Sequence, residues 1–213
     1  MSSSVRRAAW ASLVLAVSLA ALSASVPVAN AGCGGVQRVQ PKKHLSDNRA
    51  PLIVGDSVLL GAMPNVAREG FEVNARGCRG WGEGLAYLRA RRHAHTLPKL
   101  VVLQLGTNWS ITRTDIRKAL DITGQRRVLA IMTPREVGGF GGSDAAAVRA
   151  AGKRYPDQVV VLDWVKHTRY RGDWFAPDGI HLTFKGMTGF ARFLRSVTTF
   201  VGGVPDADHP SAT

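Results

Sequence analysis

The sequence predicts an α/β protein, folded as a three-layer α/β/α sandwich around a five-stranded, mainly parallel sheet. Short apolar runs alternate with longer segments of helical character, the pattern of strands joined by crossover helices. Residues 100–105 (LVVLQL) are apolar almost throughout, as expected of a strand that is covered on both faces. The 213 residues, 45% of them hydrophobic, suffice for one such domain with its own core.

Five strands and their connecting helices can be placed along the chain in order. The strands are expected at residues 52–54, 71–75, 100–105, 127–132 and 158–162. A first helix should follow Ser57 and be interrupted near Pro64, which is able to restart it as a first helical residue. A second helix is expected at 84–95, and a third should run from an N-cap at Thr114 to about residue 122. Two more are expected at 143–154, with Ser143 as the N-cap, and at 184–201. Residues 137–142, with four glycines, are expected to be a flexible loop.

The amino-terminal 31 residues have the pattern of a secretory signal peptide. Arg6 and Arg7 precede an apolar run, and Ala29-Asn30-Ala31 is a small-x-small cleavage site. A retained membrane anchor or lipidation at Cys33 are the alternatives. The expected organisation is a signal at 1–31, an irregular lead-in at 32–50, the α/β domain at 51–201 and a flexible tail at 202–213. The processed protein would be secreted or cell-wall associated, without a stable membrane span.

The formal charge is +13, which favours anionic partners such as acidic wall polymers. The basic residues are scattered and no nucleic-acid-binding motif accompanies them, so no nucleic acid partner is expected. A solvated basic surface without a specific partner is the alternative. Cys33 and Cys78 are expected to form a disulfide in an exported chain, the alternative being two free thiols. No ligand spacing for a metal is present, and no cofactor is expected.

A serine stands at the junction of the first strand and the first helix. The segment 52–61 (LIVGDSVLLG) runs from a buried strand through Gly-Asp-Ser into a helix. The unpaired N–H groups at a helix start would stabilise an anion beside Ser57. Ser57 is therefore a candidate nucleophile, whereas a plain turn capped by Asp56 or Ser57 is the alternative.

A histidine with a carboxylate three residues earlier stands near the end of the chain, in Asp178-Gly179-Ile180-His181. Residues three apart on a turn share a face, so Asp178 can reach the imidazole of His181. A histidine is the usual base for a serine nucleophile, and a carboxylate fixes its tautomer. A surface turn, with Asp178 as a cap and His181 packed on an aromatic ring, is the alternative.

Three blocks together resemble the SGNH/GDSL hydrolase superfamily: residues 55–57 (GDS), 106–108 (GTN) and 178–182 (DGIHL). The resemblance implies a flavodoxin-like fold of the SGNH type. It also implies a triad of Ser57, His181 and Asp178, and an oxyanion hole formed by the N–H of Ser57, a second backbone N–H and the side chain of Asn108. The second N–H would come from Cys78, or from Gly77, at a position where the family usually has glycine or serine.

Longer stretches resemble the SGNH domains that are linked to membrane acyltransferases of the cell wall: residues 55–62, 161–164 and 178–186. This resemblance implies an exported serine esterase or O-acyltransferase, which uses an acyl donor and acts on short acyl esters of carbohydrates or wall glycans. Asp56, Trp109, Phe140 and Trp174 are the candidate substrate-binding residues, with ordinary loop packing as the alternative for the aromatic ones. A lipase acting on lipid esters, or a non-catalytic glycan- or anionic-polymer-binding module, remain as alternative functions.

Overall fold

In the part of the chain that the structure describes, six strands form one sheet. The structure is a computed structural model that describes residues 33–41, 49–136 and 138–201. The strands are β1 (Gln37–Val39), β2 (Leu52–Gly55), β3 (Glu72–Ala75), β4 (Leu100–Gln104), β5 (Val128–Met132) and β6 (Val159–Leu162). They lie across the sheet in the order β1-β3-β2-β4-β5-β6. All neighbouring strands are parallel except β1, which pairs with β3 in the antiparallel direction.

Among the described residues, six α-helices connect or follow the strands. They are α1 (Ser57–Arg68), α2 (Trp81–His93), α3 (Arg113–Thr123), α4 (Ser143–Arg154), α5 (Trp164–His167) and α6 (Phe184–Val201). A short 3-10 helix, Gly172–Trp174, lies between α5 and α6. The connection between β6 and α6 therefore contains both α5 and this 3-10 turn.

The sheet is buried on both faces, which confirms the predicted three-layer sandwich. Successive strand residues alternate between two cores, since Ile53 packs with α1 and α6 whereas Leu52 and Val54 pack with α2, α3 and α4. This alternation follows from the two-residue period of a strand. Parallel strands covered by helices on both faces place the carboxyl ends of β2, β3, β4 and β5 along one edge of the sheet.

The sixth strand, β1, corrects the expectation of an irregular segment at 32–50. It has three residues, two of them exposed, so no apolar alternation marks it in the sequence. Its register with β3 pairs Gln37 with Ala75 and Val39 with Val73. Backbone pairing on an antiparallel edge is enough to form such a strand, and it covers the otherwise open edge of β3.

Two details of the helices differ from expectation. Helix α1 runs continuously through Pro64. The ring of Pro64 is exposed, so water can bind the carbonyl that loses its helical partner. Helix α3 begins at Arg113, whereas a cap at Thr114 implies a start at residue 115. The helix starts earlier because Thr112 and Asp115 form a reciprocal capping box.

The glycine-rich segment at 138–142 is tied down by hydrogen bonds, contrary to the expected flexible loop. The Glu136 Oε1 atom accepts hydrogen bonds from the backbone N–H groups of Gly142 and Asp144, at 2.8 and 3.0 Å. The N–H of Glu136 also donates to the carbonyl of Phe140. Gly142, rather than Ser143, is the N-cap of α4, and Glu136 supplies the acceptor that a capping side chain would otherwise provide.

The predicted disulfide between Cys33 and Cys78 is present. It joins the segment before β1 to the loop after β3. Nearby, the Nε atom of Arg76 donates to the carbonyl of Gly34 at 2.9 Å. The amino-terminal end of the described chain is thus held against the loop that contains Cys78.

Several expectations fall on residues outside the described ranges. These are the signal peptide at 1–31 and the tail at 202–213. Within the described ranges, no helix combines the length and apolarity needed to cross a bilayer.

The disulfide should contribute measurably to stability. Replacing both cysteines by serine removes a cross-link between residues that are 45 apart in sequence, which should lower the free energy of unfolding by about 2–4 kcal/mol. Urea unfolding with and without a reductant measures this. A reductant should destabilise the wild-type protein and leave the Cys33→Ser/Cys78→Ser variant unchanged. Equal stability of the two proteins without reductant would contradict the prediction.

Candidate active site

Ser57 is the first residue of α1, directly after the turn that ends β2. Its side chain is nearly buried, with 7% exposed. The preceding turn is tight, since a Cβ atom on Gly55 would lie 2.6 Å from both Gln104 Oε1 and a Leu59 methyl group. At this position the first N–H groups of α1 lack partners within the helix, so the surroundings of Ser57 favour negative charge.

The side chain of Asp56 is buried under this turn, where a ligand cannot reach it. Its Oδ1 atom accepts hydrogen bonds from the backbone N–H of Val58 and from Gln104 Nε2, both at 3.0 Å. Its side chain is 0% exposed, which corrects the expectation that Asp56 binds substrate. Burial raises the pKa of Asp56, and the hydrogen bonds from Val58 and Gln104 oppose that rise. A helix cap buried against Gln104 is the role that its surroundings support.

Asp178 and His181 lie on one tight hairpin. Backbone hydrogen bonds close it from the N–H of Ala176 to the carbonyl of His181, at 2.8 Å, and from the N–H of Thr183 to the carbonyl of Trp174, at 2.9 Å. Gly179 sits at the turn with φ +70°, a conformation that favours glycine. The hairpin therefore fixes the spacing between the carboxylate and the imidazole.

The hairpin brings both side chains to Ser57. His181 Nε2 lies 3.0 Å from Ser57 Oγ, and His181 Nδ1 lies 2.5 Å from Asp178 Oδ2. The other carboxylate oxygen of Asp178 accepts from the N–H groups of Ile180 and His181. Partial burial tends to raise the pKa of Asp178, but the hydrogen bonds from His181 and Ile180 outweigh it and lower that pKa. An ionised Asp178 keeps the proton on Nδ1 and leaves Nε2 free to accept the serine proton.

Arg135, which the sequence analysis missed, supports the hairpin from the loop after β5. Its Nε atom donates to the carbonyl of Gly179 at 2.8 Å, and Nη1 donates to the hydroxyl of Thr168 at 3.0 Å. Its guanidinium stacks 3.8 Å from the centre of the Phe175 ring. Partial burial lowers the pKa of Arg135, although an arginine remains charged at any ordinary pH. No local pattern signals this role, because its main partner lies 44 residues away.

Gly77 and Cys78 lie in the loop after β3. Cys78 has φ +54°, which is uncommon for a residue with a side chain. The adjacent Arg79 is 1% exposed, and its Nη1 donates to the carbonyls of Asn74 and Gly55 at 2.9 and 3.3 Å. Arg79 thus ties the Cys78 loop to the end of β2, next to the turn that carries Ser57. Glu83 balances its charge, with an oxygen 3.2 Å from Nε.

Asn108 is exposed in the loop after β4. That strand pairs with β2, and the carbonyl of Gln104 accepts from the N–H of Asp56, so the loop starts beside the turn that carries Ser57. Next in the chain, Trp109 is 66% exposed and its ring lies over Gly80, where a Cβ atom would be 2.8 Å from the indole. The loops of Cys78 and Asn108 are therefore in contact through this indole.

The two remaining aromatic candidates have different surroundings. Phe140 is 77% exposed on the loop whose Gly139 packs against the backbone of Gly179, so it lies at the edge of the Asp178–His181 hairpin. Trp174 instead packs on the backbone of α6 at Gly189 and against the ring of Trp164. Its indole N–H is buried without a partner among the described residues. Loop packing therefore accounts for Trp174, and a substrate-stacking role does not fit its position.

Comparisons with known proteins agree with this architecture. No protein-family model matches the chain. The sequence is 26% identical over 151 residues to the peptidoglycan O-acetyltransferase OatA of Listeria monocytogenes, a match that covers 68% of this chain and 23% of that protein. The chain spans about a quarter of the length of the curated relatives it matches.

Two solved structures illustrate the likeness in fold. The C-terminal catalytic domain of the peptidoglycan O-acetyltransferase OatA from Streptococcus pneumoniae aligns with a TM-score of 0.64 at 18% identity, covering 73% of this chain and 95% of that one. A lipase/acylhydrolase from Enterococcus faecalis aligns with a TM-score of 0.55 at 18% identity, covering 71% and 96%. The protein has the fold of the SGNH hydrolases, and its sequence resembles O-acetyltransferases.

Proposed function

We propose that this protein is an exported SGNH-type serine esterase or O-acyltransferase that acts on short acyl esters, acetyl above all, of carbohydrates or cell-wall glycans. The observation that carries the proposal is the chain of contacts from Ser57 Oγ through His181 to Asp178, at 3.0 and 2.5 Å. The similarity to a peptidoglycan O-acetyltransferase supports acetyl groups and glycans as the chemistry involved. The disulfide supports an oxidising compartment outside the cytoplasm.

In the proposed reaction, Ser57 Oγ attacks the carbonyl carbon of the acyl donor while His181 Nε2 takes the hydroxyl proton. The tetrahedral oxyanion is held by the N–H groups of Ser57 and Cys78 and by the amide of Asn108. His181 then gives the proton to the leaving alcohol, and an acyl-enzyme remains. Water or a sugar hydroxyl attacks the acyl-enzyme with His181 again as the base, which releases an acid or an acylated sugar.

A small cavity lies among the chain neighbours of three residues of the candidate site. It has a volume of about 10 Å³, room for roughly one water-sized group. Val58, Thr107 and Ile180, which line it, are the chain neighbours of Ser57, Asn108 and His181.

The acceptor decides between hydrolysis and transfer, because transfer requires a sugar hydroxyl to be ordered over the acyl-enzyme in place of water. Trp109 and Phe140 are exposed rings on the two flanking loops, and they are the residues that we expect to stack on sugar rings.

The central test supplies an activated acetyl ester with and without soluble peptidoglycan fragments. We expect the wild-type protein to release acetate without an acceptor and to form acetylated fragments with one, as measured by mass spectrometry. Ser57→Ala should abolish both products, with losses up to roughly 10⁶-fold in kcat. Acetate alone, with or without fragments, would make the protein an esterase. Faster turnover of long-chain lipid esters would make it a lipase. Unchanged activity in Ser57→Ala would rule out the triad.

Arg135 should act as a positioning residue for the hairpin. Arg135→Met removes the bond to the Gly179 carbonyl, and a displaced His181 should lower kcat by roughly 10-fold or more while KM changes little. Arg135→Lys should recover only part of kcat, because an ammonium cannot bind Gly179 and Thr168 in the same fork geometry. Steady-state kinetics on an aryl acetate measure both parameters.

A matched control separates positioning from stability. Arg91 is another partly buried arginine. It binds Glu72 and Thr96 near the start of β3, at the edge of the sheet opposite Ser57. Arg91→Met should lower the midpoint of thermal unfolding without changing kcat. If the two methionine variants lose kcat in proportion to their loss of stability, Arg135 has only a structural role.

A further inference from the structure

A disulfide holds the turn at residues 76–79, the Cys78 turn, whose Cys78 N–H is one of the proposed oxyanion donors. The bond joins Cys78 to Cys33, which lies before β1. Cys33 is exposed and Cys78 is half-buried, so a small dithiol in solvent can reach the bond. The cross-link therefore acts, from an accessible position, on the residue that carries this N–H.

Both ends of the Cys78 turn are bound to the strand that leads to Ser57. The backbone N–H of Arg76 donates to the carbonyl of Gly55 at 3.2 Å, and Arg79 Nη1 donates to the same carbonyl at 3.3 Å. Gly55 stands two residues before Ser57, so the turn lies beside the candidate nucleophile. These hydrogen bonds do not involve the disulfide, and they can hold the ends of the turn when it is broken.

The corner of the turn has an uncommon backbone conformation. Gly77 and Cys78 are its two central residues, and Cys78 has φ +54°, whereas the common type I turn has a negative φ at this position. Turns with opposite signs of this φ differ by a rotation of the central peptide through roughly 180°, which reverses the direction of the Cys78 N–H. A side chain disfavours the positive φ roughly 10-fold, whereas glycine adopts either sign about equally.

The N–H of Cys78 is available for a ligand in the observed conformation. Among the described residues, no group accepts a hydrogen bond from it. The neighbouring Gly80 lies under the indole of Trp109, so the loop that carries Asn108 packs against the same turn. The direction of this N–H therefore matters at a place where the loops of two proposed oxyanion donors meet.

We propose that the disulfide between Cys33 and Cys78 positions the Cys78 N–H for catalysis, and that its reduction lowers the activity of a protein that stays folded. The inference rests on the proposed function, since it takes Cys78 as an oxyanion donor. While Gly55 holds the ends of the turn, the cross-link restrains the side chain at its corner and opposes rotation of the central peptide. Once the bond is broken, the side chain of Cys78 favours a negative φ, and the N–H turns away from the site in most molecules.

The cross-link thereby couples activity to the redox state of the surroundings. Reduction by a dithiol adds two electrons and two protons to the disulfide and leaves two thiols, while the dithiol closes to its own disulfide. The protein would have weak activity while Cys33 and Cys78 are reduced, as thiols are in the cytoplasm, and full activity once they are oxidised outside it.

The test compares steady-state kinetics on an aryl acetate for the wild-type protein, oxidised and reduced, and for two double variants. Alkylation and intact mass verify the number of free thiols. Reduction of the wild type and the variant Cys33→Ser/Cys78→Ser should each lower kcat roughly 10-fold, with KM little changed. Cys33→Ser/Cys78→Gly lacks the same cross-link, yet its kcat should stay within about 3-fold of the oxidised wild type, because glycine adopts the positive φ without a steric cost.

Two controls separate position from stability. Dithiothreitol should leave the kcat of both double variants unchanged, and Arg91→Met should lower the midpoint of thermal unfolding without lowering kcat. An unchanged kcat in the reduced wild type, or equal losses of kcat in the serine and glycine variants, would overturn the proposal. Loss of the fold in the reduced protein and in both double variants would also overturn it, since the disulfide would then have only a structural role. An oxidised wild type without esterase activity would instead contradict the proposed function, and the inference with it.

Discussion

The contact between Ser57 and His181 joins side chains that are 124 residues apart, and most of the architecture serves to bring them together. Each side chain is placed by a local element. Ser57 is fixed by the cap of α1, and His181 by a hairpin that closes on itself. The sheet and α6 then set the distance between these two elements. A hydrogen bond at 3.0 Å tolerates little displacement, so the packing that surrounds the two elements has to be rigid.

Much of that rigidity comes from polar side chains that bind backbone carbonyls. Arg79 ties the Cys78 loop to the ends of β2 and β3, and Arg135 ties the hairpin to the loop after β5. Gln104 holds Asp56 beneath the serine turn. These groups are buried or partly buried, where an unpaired polar atom is costly. Displacing the Cys78 loop, the Asp178–His181 hairpin or the serine turn would therefore leave buried donors or acceptors without partners. The free-energy cost of these unpaired groups opposes such movement.

The sequence predicted the elements whose signal is local. Ser57 was found because an apolar run leads through Gly-Asp-Ser into a helix, and the pair Asp178 and His181 because three residues separate them on a turn. The five parallel strands were found from their apolar runs. Strand β1 escaped notice because its exposed residues pair only through the backbone. Arg135 was missed because its carbonyl partner is distant in the chain. Asp56 was misassigned because, in the sequence, a buried helix cap cannot be distinguished from a ligand-binding acid next to a candidate nucleophile.

Labelling with a fluorophosphonate tests the account most directly, because the reagent reports on an activated serine whatever the natural acceptor is. The labelled protein is digested and the modified peptide is mapped by mass spectrometry. The account predicts one adduct, on Ser57, whose formation slows strongly when His181 is replaced by Gln. No adduct, or an adduct on a different serine, would contradict the view that the fold is organised around the contact between Ser57 and His181.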